Sequence, residues 1–211
     1  MPLDTYANLQ KSIADWLARP DDPLLTPTIP DMITMFEEMA RNRLQTRFVE
    51  KQVTVTPTPH NSVIPLPLDY AQMREVWIDT NHGRRVFSYQ TPANMDHNLW
   101  YTPGHPAAYT IEGLSMRITG DPGDAPDPIN LSYLTGITSL SNAVPTNWLL
   151  DEYPSAYLFG SLAMAAPFIG DDSRIAVWMA GREERIEDIR LADRKAKYPH
   201  GLVIQTDTKN P

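Results

Sequence analysis

Residues 146–178 read TNWLLDEYPSAYLFGSLAMAAPFIGDDSRIAVW. Pro154 suits a first helical turn, where its missing N–H would have no partner anyway, and Asp151 with Glu152 places acid near the positive helix end. From Tyr157 to Ile169 almost every side chain is apolar or small. A helix with no polar face must be covered on most sides, and one short domain is expected to have trouble supplying that cover alone. Gly170 is expected to close this helix as a left-handed cap, and Asp171, Asp172 and Ser173 offer N-caps to a second helix. The stretch is therefore a helical hairpin built for packing and docking. Pro167 inside it is expected to kink or shorten the first helix.

Upstream lie two more helices. Tyr6, Leu9, Ile13, Trp16 and Leu17 recur at helical spacing between Asp4 and Ala18, with Pro20 ending the pattern. After a proline-rich connector, Met32, Met35, Phe36, Met39 and Leu44 mark a helix from about Asp31 to Phe48. Thr28 and Asp31 resemble a capping box at its start.

Between about Gln52 and Leu134 the apolar period changes to two. VWIDTNHGRRVFSY reads as a hairpin turning at Asn81, His82 and Gly83, and YTIEGLSMRI as one turning at Glu112 and Gly113. Between them Thr91 and Pro92 announce a short helix, and 129–134 is a further strand. Downstream, Ile175, Trp178, Ile186 and Ile189 share one stripe of a charged helix that ends before Pro199. The fold class is α+β: a helical bundle of two N-terminal and two C-terminal helices, an inserted, small, mostly antiparallel β lobe, and an extended tail. The expected boundaries are 1–50, 51–140, 141–197 and 198–211.

Eighteen Lys and Arg against 26 Asp and Glu give a net charge of −8, which argues against a nucleic-acid groove. No cysteine is present, so thiolate zinc sites and disulfides are excluded. No window approaches the ~20 apolar residues that span a bilayer. The histidines, His60, His82, His97, His105 and His200, show no metal-binding spacing on an expected element, and GDPGDAPDP, with Asp121, Asp124 and Asp127, lacks the order of an EF-hand loop. Ser161 sits within an apolar helix, where a small side chain allows close packing, and not at a nucleophile turn. No phosphate-binding glycine motif occurs. These residues argue for no enzyme, no metal and no cofactor.

Ordered motifs carry a resemblance. Leu66, Pro67, Asp69 and Tyr70 precede the first hairpin; Gly104, Pro106, Tyr109, Ile111 and Gly113 cross the second. Asn147, Trp148 and Leu149 then lead to Pro154, Tyr157, Leu158, Phe159, Gly160 and Leu162, followed by Asp171, Asp172, Arg174 and Trp178. This order resembles the head-tail adaptor (connector) proteins of tailed bacteriophages, the portal-proximal type of short-tailed phages and gene transfer agents. The resemblance implies a virion structural protein made in the host cytoplasm. It implies a ring, typically of twelve copies, beneath the portal protein, extending the DNA channel and docking tail or nozzle proteins, with DNA passing unread.

Within that expectation Tyr157, Phe159, Trp178, Arg182 and Arg185 are candidate subunit-interface residues. Leu202, Val203, Ile204 and Gln205, the one apolar run in a tail too polar to fold alone, are candidate portal-binding residues. Two other readings stay open. One is a different virion or baseplate binding module; the other is a small metal-dependent hydrolase around His97, His105 and Asp121.

Overall fold

A computed structural model describes residues 3–97, 107–170 and 173–197. The fold is α+β, with seven α-helices and eight strands among the described residues. Two compact units are present, Met1–Phe48 with Ile137–Pro211, and Val49–Gly136.

The helical unit opens with α1, Tyr6–Trp16, capped by the Thr5 hydroxyl, which accepts from the Asn8 N–H at 3.3 Å. It ends two residues earlier than its sequence pattern because Ala18 turns left-handed, at φ 57°. Leu9 and Ile13 are fully buried, but Trp16, expected on the core stripe, is 47 % exposed. The second helix, α2, runs Ile29–Arg43 and stops short of Phe48, because Leu44 leaves the helical region and residues 47–49 form a separate 3-10 turn. The capping box at Thr28 does not form. Thr28 is itself helical, at the end of a 3-10 turn that runs into α2, and its hydroxyl donates to the Leu25 carbonyl at 2.7 Å.

Four helices follow where two were expected. Asn147 caps α4, Trp148–Glu152, its side-chain oxygen accepting from Leu149 N and Leu150 N at 3.1 and 3.0 Å. Asp151 and Glu152 thus end a short helix and do not begin the next. Pro154 starts α5, Pro154–Met164, and a break at Ala165 precedes α6, Ala166–Ile169, with Pro167 in its first turn. The proline shortens the helix as the sequence indicates. Gly170 has φ 71° but ψ −141°, so it reverses the chain in a region open to glycine and not as a left-handed cap. The last helix, α7, spans Arg174–Lys197.

α5 is the axis of this unit. Ala156, Tyr157, Leu158, Gly160, Ser161, Leu162 and Ala163 are all buried against α1, α2, α4 and α7. The expectation that the chain lacks cover for it is therefore corrected. Cover is possible because glycines let the neighbours approach: a Cβ on Gly160 would lie 2.2 Å from the Phe36 ring.

The β unit holds two four-stranded sheets, where the sequence pattern suggested one. β1 (Glu50–Val55), β3 (Tyr70–Thr80), β4 (Gly83–Val86) and β8 (Ile129–Thr135) form the first, in the order β1-β8-β3-β4, all antiparallel. The second comprises β2 (Val63–Pro65), β5 (Ser88–Tyr89), β6 (Ala108–Glu112) and β7 (Ser115–Ile118), ordered β2-β7-β6-β5, with β5 parallel to β6. Between β5 and β6 lies α3, Pro92–His97, whose first turn Thr91 caps by accepting from Asn94 N at 3.4 Å. Both hairpins turn where read, with Gly83 at φ 111° and Gly113 at φ 62°. The core joins Ile64, Val76, Ile78, Phe87, Met116, Ile118, Leu131 and Tyr133 from both sheets. β2 and β5, three and two residues long, are too short for a period to appear in sequence.

Candidate docking surface

The helical unit leaves large apolar side chains open at Trp16, Leu24, Phe48 and Phe168 and at three positions of α7, where they flank a groove. Val177 is 64 % exposed, Met179 45 % and Leu191 40 %. Between α5 and α7 runs an open groove of about 700 Å³, lined by Phe159, Ala176, Val177, Ala180, Gly181, Glu184 and Arg185. Its floor exists because position 181 has no side chain. The Phe159 ring lies across Gly181 so closely that a Cβ there would meet it at 2.8 Å. Phe159 is also held edge-on by Trp16, the ring centroids 5.7 Å apart.

Behind this surface lies a buried polar anchor that sequence pattern alone did not single out. Glu37 on α2 is 1 % exposed. One of its carboxylate oxygens accepts from the Leu140 N–H at 2.8 Å and from the Tyr157 hydroxyl at 3.0 Å. Asn147 in turn donates to the Tyr157 oxygen at 2.6 Å and to the Thr138 carbonyl at 2.7 Å. Burial first, and the Glu37 charge second, push the Tyr157 phenol well above its ordinary pKa. The available signal was position: Glu37 follows Ile33 by four residues, on the face of α2 that is otherwise apolar. Arg41, one turn on, donates to the Ile137 carbonyl at 3.3 Å, so α2 fixes the segment that returns from the β insertion.

Five residues are expected at a subunit contact, and the structure places them differently. Tyr157 and Trp178 are buried within their own chain, at 0 % and 3 % exposure. Phe159 is half-buried on the groove wall, and Arg185 is on its rim. Arg182 does not line the groove; its side chain is largely buried and pairs with Glu183 at 2.8 Å. Glu183 takes a second cation, Arg43 of α2, through two contacts of 2.8 and 2.6 Å. The Arg43 hydrogen bond, followed by that of Arg182, holds the Glu183 carboxyl down to about 2 against an ordinary 4.5. Leu202, Val203, Ile204 and Gln205 lie outside the described residues, as do Asp171, Asp172, His105 and the side chain of His97.

In the β unit the structure joins residues that the sequence kept apart. His60, a left-handed residue at φ 55°, sets its Nδ1 2.9 Å from Asp121 and its Nε2 2.8 Å from Asp124. Its backbone N–H also donates to the Gly123 carbonyl at 3.2 Å. The clasp ties the loop after β1 to the loop after β7. The hydrogen bonds to Asp121, then Asp124, raise the imidazole pKa, and His60 lowers that of Asp121. Among the described residues no group of three His, Cys, Asp or Glu is arranged to hold a metal ion. No described helix is long and apolar enough to cross a membrane.

The geometry is that of a surface to be covered: an apolar groove on a helix whose far side is locked into its own core. A family model described as SU10 adaptor protein matches residues 4–204. The chain belongs to that family. The match supports its identification as a bacteriophage head-tail adaptor, a structural component of the virion. It takes in every motif of the resemblance, from Leu66 to Trp178, and both helices upstream. No curated protein matches the chain.

Proposed function

We propose that this adaptor forms a ring, of twelve copies, against the portal vertex, where it extends the DNA channel and presents a face to tail or nozzle proteins. The observation that carries this reading is the open α5–α7 groove in a chain belonging to an adaptor family. Copies pack side by side through this surface, with Phe159, Arg182 and Arg185 at the contact. Tyr157 and Trp178 act from beneath, as the packed floor on which α7 is held.

A ring needs one face of each copy to meet a different face of the next, since a self-complementary contact closes at two copies. The groove supplies one such face. The segment after Lys197, with Leu202, Val203, Ile204 and Gln205, supplies the portal contact, its ordering cost offset by what it buries there. DNA passes without being read, and a net charge of −8 limits its adhesion.

Truncation tests the portal contact. Deleting 201–211 is expected to abolish co-sedimentation with portal rings from the same genome while the circular dichroism spectrum and melting temperature stay unchanged. Undiminished co-sedimentation overturns the portal role of the tail.

A further inference from the structure

α7 carries two unlike faces on either side of its buried stripe. On one, Val177, Gly181, Glu184, Asp188 and Leu191 succeed one another at spacings of four, three, four and three, which places them along one line of the helix. The line begins at the groove and continues past it. Val177 and Leu191 are exposed, and the side chains of Glu184 and Asp188 are 65 % and 56 % exposed. These two carboxylates share one cation, Arg185, at 3.7 and 3.2 Å, and the next cation on the line, Lys195, lies two turns beyond Asp188, so the surplus negative charge is local to the Glu184–Asp188 turn.

The other face is a cleft of about 550 Å³ between the C-terminal ends of α2 and α7, where Arg43, Arg190, Arg194 and Lys197 stand with Glu187 and Asp193. Arg190 is fixed by donating from Nε and Nη2 to the Arg43 carbonyl at 3.2 and 3.0 Å. Arg43 pairs with Glu183 at 2.6 Å, Arg190 with Glu187 at 3.6 Å and Lys197 with Asp193 at 2.9 Å. Arg194 pairs with no carboxylate among the described residues. In a chain with eight more acidic than basic residues, this cleft keeps a surplus cation.

We infer that the cationic cleft of one copy receives the Glu184–Asp188 line of a second copy of this chain, with Arg194 entering between the two carboxylates. The inference rests on the ring reading and specifies its contact. Charge complementarity selects the occupant: the Glu184–Asp188 turn lacks a cation, the cleft lacks an anion, and both are on the same helix. Because the faces differ, the contact is heterologous and repeats around a ring without pairing off into dimers. The apolar members of the line, Val177 and Leu191, are covered by the same contact, while the charges set register more than affinity.

Charge reversal tests it on the full chain with portal rings from the same genome as template, read by mass photometry across a dilution series. Arg194→Glu and Glu184→Arg are each expected to raise the concentration needed for ring closure at least tenfold, and the doubly reversed chain to return within threefold of the original. Closure should also weaken as salt rises from 0.05 to 0.5 M. Both positions are exposed on a formed helix, and an unchanged melting temperature verifies that each variant is folded. Single reversals that leave closure unchanged, or a double reversal no better than the singles, overturn the contact while the ring stands. Copies that still associate but no longer attach to portal also overturn it, assigning the cleft to portal. If the unaltered chain forms no ring, the contact and the ring reading both fall.

Discussion

The helical and β units bury their apolar residues by opposite means, and the difference decides where surface is left for a partner. In the β unit the two sheets bury their apolar side chains in one shared core, with β3 and β8 buried over consecutive residues and the short strands β4 and β5 left open. Its two almost wholly exposed leucines, Leu68 and Leu114, sit outside the strands in connecting turns. In the helical unit α5 is apolar all round and takes cover from four helices. α7, recruited as one of those covers, has its own apolar residues on more than one side. The cost of burying α5 is an uncovered line on α7, and that line is the proposed docking surface.

Substitutions in the helical unit should therefore be the most damaging. Gly160→Val places side-chain atoms where the Phe36 ring lies, since the Cβ alone would be 2.2 Å away. Overpacking of this kind costs about 3 kcal/mol, or a fall of roughly 6–12 °C in melting temperature for a chain this size. A scanning calorimetry shift below 2 °C would break the claim that α5 is the tightest point of the molecule.

The buried anchor should come next. Glu37→Ala strands the Tyr157 hydroxyl and the Leu140 N–H without their acceptor, at a cost of about 2–3 kcal/mol. Glu37→Gln keeps an acceptor oxygen and should recover more than half of the loss in denaturant titration. Equal losses for both variants would show that the carboxylate charge, and not its hydrogen bonds, is what α2 contributes. The β unit offers the contrast. Tyr133→Phe removes a 2.8 Å bond to Asp69, itself on the surface and ion-paired with Lys51, so about 1 kcal/mol is expected.

Acid and base should act on the two units differently and weakly, because the groups involved are near solvent. Glu183 is held to about 2, so its contribution is full above its ordinary value of 4.5 and is lost as pH falls from there toward 2. Loss of the Arg43–Glu183 pair should loosen α7 from α2 in that window, seen as faster amide exchange near Arg43, and Glu183→Gln should remove the dependence. The His60 clasp behaves in the opposite sense. Its raised imidazole contributes fully below 6.5 and is lost as pH rises through the raised value, while Asp121 weakens it only in strong acid. Proton NMR should find the His60 midpoint above 6.5; a midpoint at or below that value would show the clasp to be absent in solution.

Long periodic segments were legible in the sequence, and short or long-range features were not. Both upstream helices, both hairpins, the glycine turns and the start of α5 at Pro154 followed from spacing and capping chemistry. α4 escaped because five residues are too few for a period, although Asn147 was a usable cap signal. The second sheet escaped for the same reason at β2 and β5. Of the candidate interface residues, Tyr157 and Trp178 are buried in the core, while Gly181 and the line from Val177 to Leu191, which no sequence pattern singled out, form the open face of α7. A sequence shows that a helix needs cover, but which neighbour is left uncovered by supplying it depends on packing across residues far apart in the chain.

On the proposed reading, the open face of α7 is the seam between neighbouring copies in an adaptor ring. Cryo-electron microscopy of the chain mixed with portal rings from the same genome tests it most directly. The expected particle is a closed ring in which each α5–α7 groove, from Phe159 to Leu191, is covered by the adjacent copy. A ring in which that groove faces solvent or the DNA channel, or a chain that remains monomeric beside the portal, would contradict it.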